Sequence, residues 1–303
     1  MLARAQEAFR ESRRKGRAQE VATLRSALRG LFDYAGLFPP AELAFPGALA
    51  RYRTYAAGRH AFALATFVID FPHLEDLLAA RQHRAQIPLS ITGAFDAPWH
   101  KLSRLQQDGL QVQMLEVKVT SPKQIRTIHR ELPSTIAAYY EIPFNHLSTE
   151  LLSAVSNAGG RAKLRMGGTA AEVFPDPQTV AETLHRLARH GLRFKATAGL
   201  HHPLRSLQPL TYQQNSPRGR MHGFVNLLCA AALIHFGGTI EDAAMILTEE
   251  DPARFAITRH SMQWHDHDWN TAQLQDVREK FLMSIGSCSF TEPMEELEAL
   301  GWL

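Results

Sequence analysis

The chain has 303 residues, 45% hydrophobic and 21% charged, which is the balance of a globular protein that buries a large core and excludes an intrinsically disordered one. Its net charge of +3, with Lys and Arg interspersed among Asp and Glu, excludes an extended nucleic-acid surface but leaves room for a small anionic ligand. The two cysteines, Cys229 and Cys288, make neither a disulfide framework nor a Cys-x-x-Cys pair, so a reducing compartment, the cytoplasm, is the expected location.

The N-terminal stretch has basic residues but no apolar core of signal-peptide length, and no later apolar run is long enough to span a bilayer, so no membrane partner is expected. Leu2, Ala5, Phe9 and then Val21, Leu24, Leu28 recur at helical spacing and predict a helical extension over residues 1–30. The basic stretch Arg13-Arg14-Lys15-Gly16-Arg17 reads as a solvated helix face. From residue 31 to 303 short β-rich runs alternate with helical stretches, the pattern of successive β/α units. The runs lie at 32–38, 61–69, 88–95, 112–120, 135–144, 161–168, 192–200 and 283–290. Helices are predicted over His73 to Gln86, Ser121 to Glu131, Thr149 to Asn157 and Pro177 to His190, several opening on Ser, Thr, Asp or Pro. Eight runs fit an α/β fold closed as an eight-stranded β/α (TIM) barrel; an open doubly wound sheet is the alternative. The long interval at about 203–282 reads as a helical insertion before the last strand, with helices near Met221 to Phe236, Ile240 to Thr248 and Thr271 to Phe281.

Barrel strands are covered on both faces and should be almost wholly apolar. The later runs break that rule with Glu116 and Lys118, then Glu141, then Lys163 and Arg165, then Lys195 and Thr197. Residues two apart on a strand share a face, so each pair points the same way, and inward-pointing pairs would meet. A purely structural ion-pair network is the plainer account, but buried charges are costly even when paired, and charges at barrel strand ends belong to the face where active sites form. Gly167, Gly168, Gly199 and Gly286 each follow or end a strand and could offer backbone N–H groups to an anion. Asp33 and Tyr34 either join this site or are ordinary strand-end residues.

Three of these segments, RAKLRMGG, FKATAGL and SIGSCSF, resemble the sixth, seventh and eighth strands of class I, Schiff-base-forming aldolases of the deoxyribose-phosphate aldolase type. The resemblance implies an imine-forming lysine at Lys163, a second, pKa-lowering lysine at Lys195, and a phosphate-gripping turn at Gly286, Ser287 and Ser289. Leu164-Arg165-Met166 replaces that family's Thr-Ser-Thr, Leu200 its second glycine, and Glu116 the aspartate of its proton relay.

A lysine attacks a carbonyl only as the free amine, and an unperturbed pKa of ~10.4 leaves little of that form at neutral pH. Lys195 and Arg165 are expected to lower the pKa of Lys163 by repulsion, with Glu116 or Glu141 moving protons. The leading expectation is therefore a cofactor-free carbon–carbon lyase of aldolase type. Its substrate would be a small anionic carbonyl compound, phosphate- or carboxylate-bearing, held by Lys118, Arg165, Thr197, His201, His202 and the glycine turns. The alternatives are an isomerase with Glu141 or Glu116 as general base, a hydrolase with a metal held by His201, His202, His222 and Glu141, and a non-catalytic small-anion-binding barrel. The histidine spacing matches no metal motif, so no metal is assigned and hydrogen bonding to substrate is preferred. Cys288 has no histidine partner visible in the sequence and reads as a small buried cysteine; WHDHDWN, at 264–270, reads as a solvated loop capping the next helix. No nucleic-acid partner is expected, and a homo-oligomer is compatible with all of these readings.

Overall fold

The computed structural model describes residues 23–79, 86–95, 97 and 101–303. Eight parallel strands close into a barrel: β1 (Phe32–Tyr34), β2 (Leu64–Asp70), β3 (Pro88–Gly93), β4 (Gln111–Lys118), β5 (Ala137–Glu141), β6 (Arg161–Arg165), β7 (Phe194–Thr197) and, after a long interval, β13 (Leu282–Ser287). Each of the eight predicted runs overlaps one of these strands, with β2, β4 and β13 each reaching one residue beyond its run. Closure is made by β1, which pairs with β2 on one side and with β13 on the other, Phe32 opposite Ile285 and Tyr34 opposite Ser287.

Helices cover the barrel for the reasons the sequence supplies. Following the helical residues 23–28, called α1, of which Thr23, Leu24, Ala27 and Leu28 are buried, come α2 (Phe45–Ala56), α3 (Phe71–Ala79) and α4 (Lys101–Gln107). Then α5 (Pro122–Glu131), α6 (Thr149–Asn157) and α7 (Pro177–Arg189) each start on a side chain that accepts the N–H three residues on, from Ser121, Ser148 and Asp176 respectively. The predicted extension over 1–30, with its basic stretch, lies outside the described residues as far as residue 22. So does 80–85 of the helix predicted over His73 to Gln86.

The interval before β13 differs from its expected all-helical character. It holds the three predicted helices, α8 (Phe224–His235), α9 (Ile240–Thr248) and α10 (Thr271–Lys280), together with five short antiparallel strands. β8 (Ser206–Pro209) and β9 (Arg218–Met221) form a hairpin at the barrel mouth, while β10 (Phe255–Ile257), β11 (Ser261–Trp264) and β12 (His267–Asn270) form a separate sheet. WHDHDWN is thus a β-hairpin with Trp264 and Trp269 buried, and only its last residue, Asn270, caps a helix, in a reciprocal capping box with Gln273. The helix α8 is buried on all sides except at its end, and its Asn226 amide is satisfied by the Ile246 and Glu249 carbonyls. The chain closes with α11 (Thr291–Ala299). Among the described residues no helix is long and apolar enough to cross a membrane.

Candidate active site

Every strand of the barrel sends one polar side chain into a single connected network. Lys195 of β7 lies at its centre, fully buried, with Nζ 2.6 Å from Oδ2 of Asp33 on β1 and 2.5 Å from Oε1 of Glu116 on β4. Glu116 reaches with Oε2 to Nζ of Lys163 on β6 at 3.0 Å, and Lys163 is 2.7 Å from Oε2 of Glu141 on β5. Hydroxyls complete the ring. Thr66 of β2 donates to Asp33 Oδ1 at 2.6 Å, Ser284 of β13 to Asp33 Oδ2 at 2.5 Å, and Ser90 of β3 to Glu116 Oε1 at 2.6 Å. The register explains the meeting, since Glu141 is opposite Lys163, Lys163 opposite Lys195, and Lys195 opposite Ser284.

The electrostatics correct the sequence expectation for Lys163. Burial alone would lower its pKa, but the attraction of Glu116 and Glu141 is larger and holds it above the ordinary lysine value; repulsion from Lys195 is a minor opposing effect. Lys195 is likewise raised, burial being outweighed by Asp33 and Glu116. Glu116 shows the mirror image: burial pushes its carboxyl up, yet Lys195 and Lys163 hold it well below the usual carboxylate range. In the resting protein both lysines are therefore ammonium ions. An apolar barrel centre would be at least as stable as this one, so stability alone does not account for four buried ionisable groups, Asp33, Glu116, Lys163 and Lys195.

Above the network, at the C-terminal mouth of the barrel, is a cavity of about 680 Å³, within the range of small-molecule sites. Glu116, Glu141 and Lys163 form its floor, with Lys118, Arg165, Gly168, Thr197, Gly199, His201, His202 and Gly286 higher on the wall. Neither Lys118 nor Arg165 is engaged in an ion pair among the described residues. Three expected site residues do not line the cavity. Lys195 lies beneath it; Ser287 turns its hydroxyl to the Ser289 carbonyl at 2.6 Å; Gly167 packs under Phe174. The glycines also have a packing reason. A Cβ on Gly167 would collide with the Phe174 ring, one on Gly199, where φ is +67°, would come within 2.5 Å of the same ring, and one on Gly286 within 2.7 Å of Thr197 Oγ1.

The histidines separate. His222 is wholly buried away from the cavity, with Nε2 2.7 Å from the Pro175 carbonyl and Nδ1 without a partner, and burial lowers its pKa to about 4. It does not join His201 and His202, and among the described residues no group of three or more His, Cys, Asp or Glu is placed to hold a metal. His202 pairs with Glu296 at 2.6 Å and His201 with Glu292 at 3.0 Å, both carboxylates from α11. Cys288, just past β13, lines the cavity with its Sγ 3.6 Å from Nε2 of His201. The histidine partner that the sequence does not reveal is thus 87 residues away in the chain.

No protein-family model matches the sequence, and no curated protein matches it. Among solved structures, FabK from Thermotoga maritima matches with a TM-score of 0.32 at 14% identity over 46% of this chain and 44% of that one. A point mutant of the same FabK matches with 0.37 at 13% over 62% and 58%. A glycerophosphoryl diester phosphodiesterase from Parabacteroides distasonis matches with 0.32 at 16% over 48% and 49%. The chain thus spans about half the length of these structures, and likenesses this distant carry no functional argument.

Proposed function

We propose that the protein is an enzyme that generates a carbanion or enol next to the carbonyl of a small anionic compound, as carbon–carbon lyases and keto–enol isomerases do. One observation carries the reading: Lys163 and Glu141, 2.7 Å apart, form the floor of a cavity whose wall bears the unpaired cations Lys118 and Arg165. The cations suit a phosphate or carboxylate. The Lys163 ammonium suits the carbonyl oxygen, because a donor fixed in a water-poor site stabilises the negative charge that grows there when a neighbouring C–H or C–C bond breaks. Glu141 then takes the proton or returns it.

An imine on Lys163, as in the class I aldolases, is a second reading, supported by Lys195 directly behind it and by Glu141 as the base that would free the amine. The raised pKa of Lys163 weighs against it, since the amine must first lose its proton against the field of two carboxylates.

The experiment is to incubate the protein in D2O with a panel of small phosphorylated and carboxylated aldehydes and ketones and to follow exchange and cleavage by NMR. We expect deuterium to enter at the carbon beside the carbonyl of at least one compound, and the Lys163→Met variant to lose that exchange by about 100-fold or more, the scale of a general acid or oxyanion donor. Borohydride added to the same mixtures separates the two readings, since only the imine gives a reduced adduct on Lys163. The absence of exchange, cleavage and adduct across the whole panel would overturn the proposal.

A further inference from the structure

A second set of reactive side chains stands on the cavity wall above the lysine–carboxylate network, and the chemistry proposed for Lys163 makes no use of it. Three separate elements bring it together: Cys288 follows β13, His201 comes from the loop after β7, and Glu292 from the first turn of α11. The sulfur is 3.6 Å from Nε2 of His201, and the opposite ring nitrogen, Nδ1, is 3.0 Å from Glu292 Oε2. Glu292 therefore fixes the ring so that one N–H points to the carboxylate and the other nitrogen to sulfur, the order nucleophile, base, orienting carboxylate. Cys288 and His201 are each 6% exposed, yet both border the cavity, so the sulfur faces the space where a substrate would sit and little else.

We propose that Cys288, His201 and Glu292 form a nucleophilic site in which the sulfur bonds reversibly to the carbonyl carbon of a small anionic aldehyde or ketone held in the cavity. In that step the S–C bond forms as the C=O π bond opens. The π pair goes to oxygen, and the proton shared by Cys288 and His201 passes from Nε2 to that oxygen. The product is a thiohemiacetal; nothing is oxidised or reduced, and the reverse step releases the carbonyl compound. His201 is well suited to carry the proton. Burial disfavours its charged form, but the sulfur and Glu292 outweigh burial and raise its pKa to about 10.

The other cysteine supplies the contrast. Cys229 is wholly buried in α8, 3.2 Å from the Met262 sulfur, and burial alone pushes its thiol up. Lys163 belongs to the strand layer of Ser284, four residues before Cys288, which at ~3.3 Å per residue puts the sulfur no more than roughly 13 Å further along the chain. Lys163 and Cys288 both line the same cavity.

The test is the alkylation rate of each cysteine in the folded, full-length protein, read by peptide mass spectrometry with iodoacetamide between pH 5 and pH 9. The titratable groups facing the sulfur are His201, Glu292, Tyr212 and Tyr34. We expect Cys288 to react about 100-fold faster than Cys229. In His201→Gln the rate should fall about tenfold and its pH profile should change, because the imidazole no longer titrates beside the sulfur, and Glu292→Gln should move the rate in the same direction. Glyoxylate, a small anionic aldehyde, should slow Cys288 alkylation reversibly. The labelling itself involves no aldehyde or ketone and no step on Lys163, so failure here and failure of the lysine reading are told apart. Equal rates for the two cysteines, which needs no variant, would overturn the proposal; so would the same pH profile in wild type and His201→Gln. Absence of glyoxylate protection would overturn the carbonyl-addition step.

Discussion

Glu116 holds the two lysines apart as well as together, and Glu116→Gln removes its charge while keeping its shape. Lys195 keeps Asp33 at 2.6 Å and Lys163 keeps Glu141 at 2.7 Å, but the carboxylate between the two ammonium groups is gone. Removing one partner from a buried ion pair costs about 3–5 kcal/mol, and because glutamine still offers one acceptor oxygen we expect the lower end, about 3 kcal/mol. At roughly 2 °C per kcal/mol for a chain of this size, the melting temperature should fall by about 6 °C. The pH dependence has a fixed sign. The folded pKa of Glu116 is depressed, so its contribution is complete above the ordinary glutamate value and is lost as pH falls through the folded one. Those of Lys163 and Lys195 are raised, so theirs is complete below the ordinary lysine value and is lost as pH rises through the folded ones. The gap between wild type and variant should therefore be flat from pH 5 to pH 9 and narrow below pH 4. Thermal unfolding at pH 3.5, 5, 7 and 9 measures it. A double-mutant cycle adds the sign of the coupling: Lys195→Met should cost less in Glu116→Gln than in wild type. A Glu116→Gln protein as stable as wild type from pH 5 to pH 9 would refute a charged Glu116 between two charged lysines.

Two further outcomes follow from the same structure. Gly199→Ala should destabilise by about 2 kcal/mol or more, from a left-handed backbone and contact with Phe174, whereas Gly30→Ala, at φ +55° but facing open space, should cost only about 1 kcal/mol; thermal unfolding compares them. His222 is buried neutral with a pKa of about 4, so acidification favours the unfolded chain, where the imidazole protonates freely. Replacing it with glutamine should remove up to roughly 3 kcal/mol of the stability lost between pH 6.5 and pH 4, and an unchanged acid limb in denaturant titrations would sink that assignment.

The barrel was legible because a strand covered on both faces leaves a dense apolar run, and each run here is bounded by glycine, proline or polar residues. The same expectation of apolar strands picked out Glu116, Glu141, Lys163 and Lys195. Applied to hydroxyls it would also have found Thr66, the lone polar residue of its run, whereas Ser90 and Ser284 share their runs with Thr92 and with Ser287 and Ser289. Two things escaped. The strands β8–β12 are only three or four residues long, too short for periodicity to outweigh turn residues, although Trp264, His267 and Trp269 do carry the alternation of a hairpin. The direction of the Lys163 shift could not be read either. Sequence shows which charges share a strand face, whereas the shift depends on which opposite charges stand within 3 Å, and the register across strands decides that. His201 meets Cys288 for the same reason, through barrel closure and not through any local spacing.

The polar ring across all eight strands also bears on how the chain assembles. A cut between β4 and β5 would leave Asp33 and Glu116 on one fragment and Glu141, Lys163 and Lys195 on the other. Each half would have to bury charge that only the other half neutralises, so neither should be stable alone, while the two should attract and reassociate. Half-closed barrels would be penalised in the same way during folding, and a strand entering out of register would leave a carboxylate or an ammonium stranded. Closure of the barrel and completion of the site are then a single cooperative event.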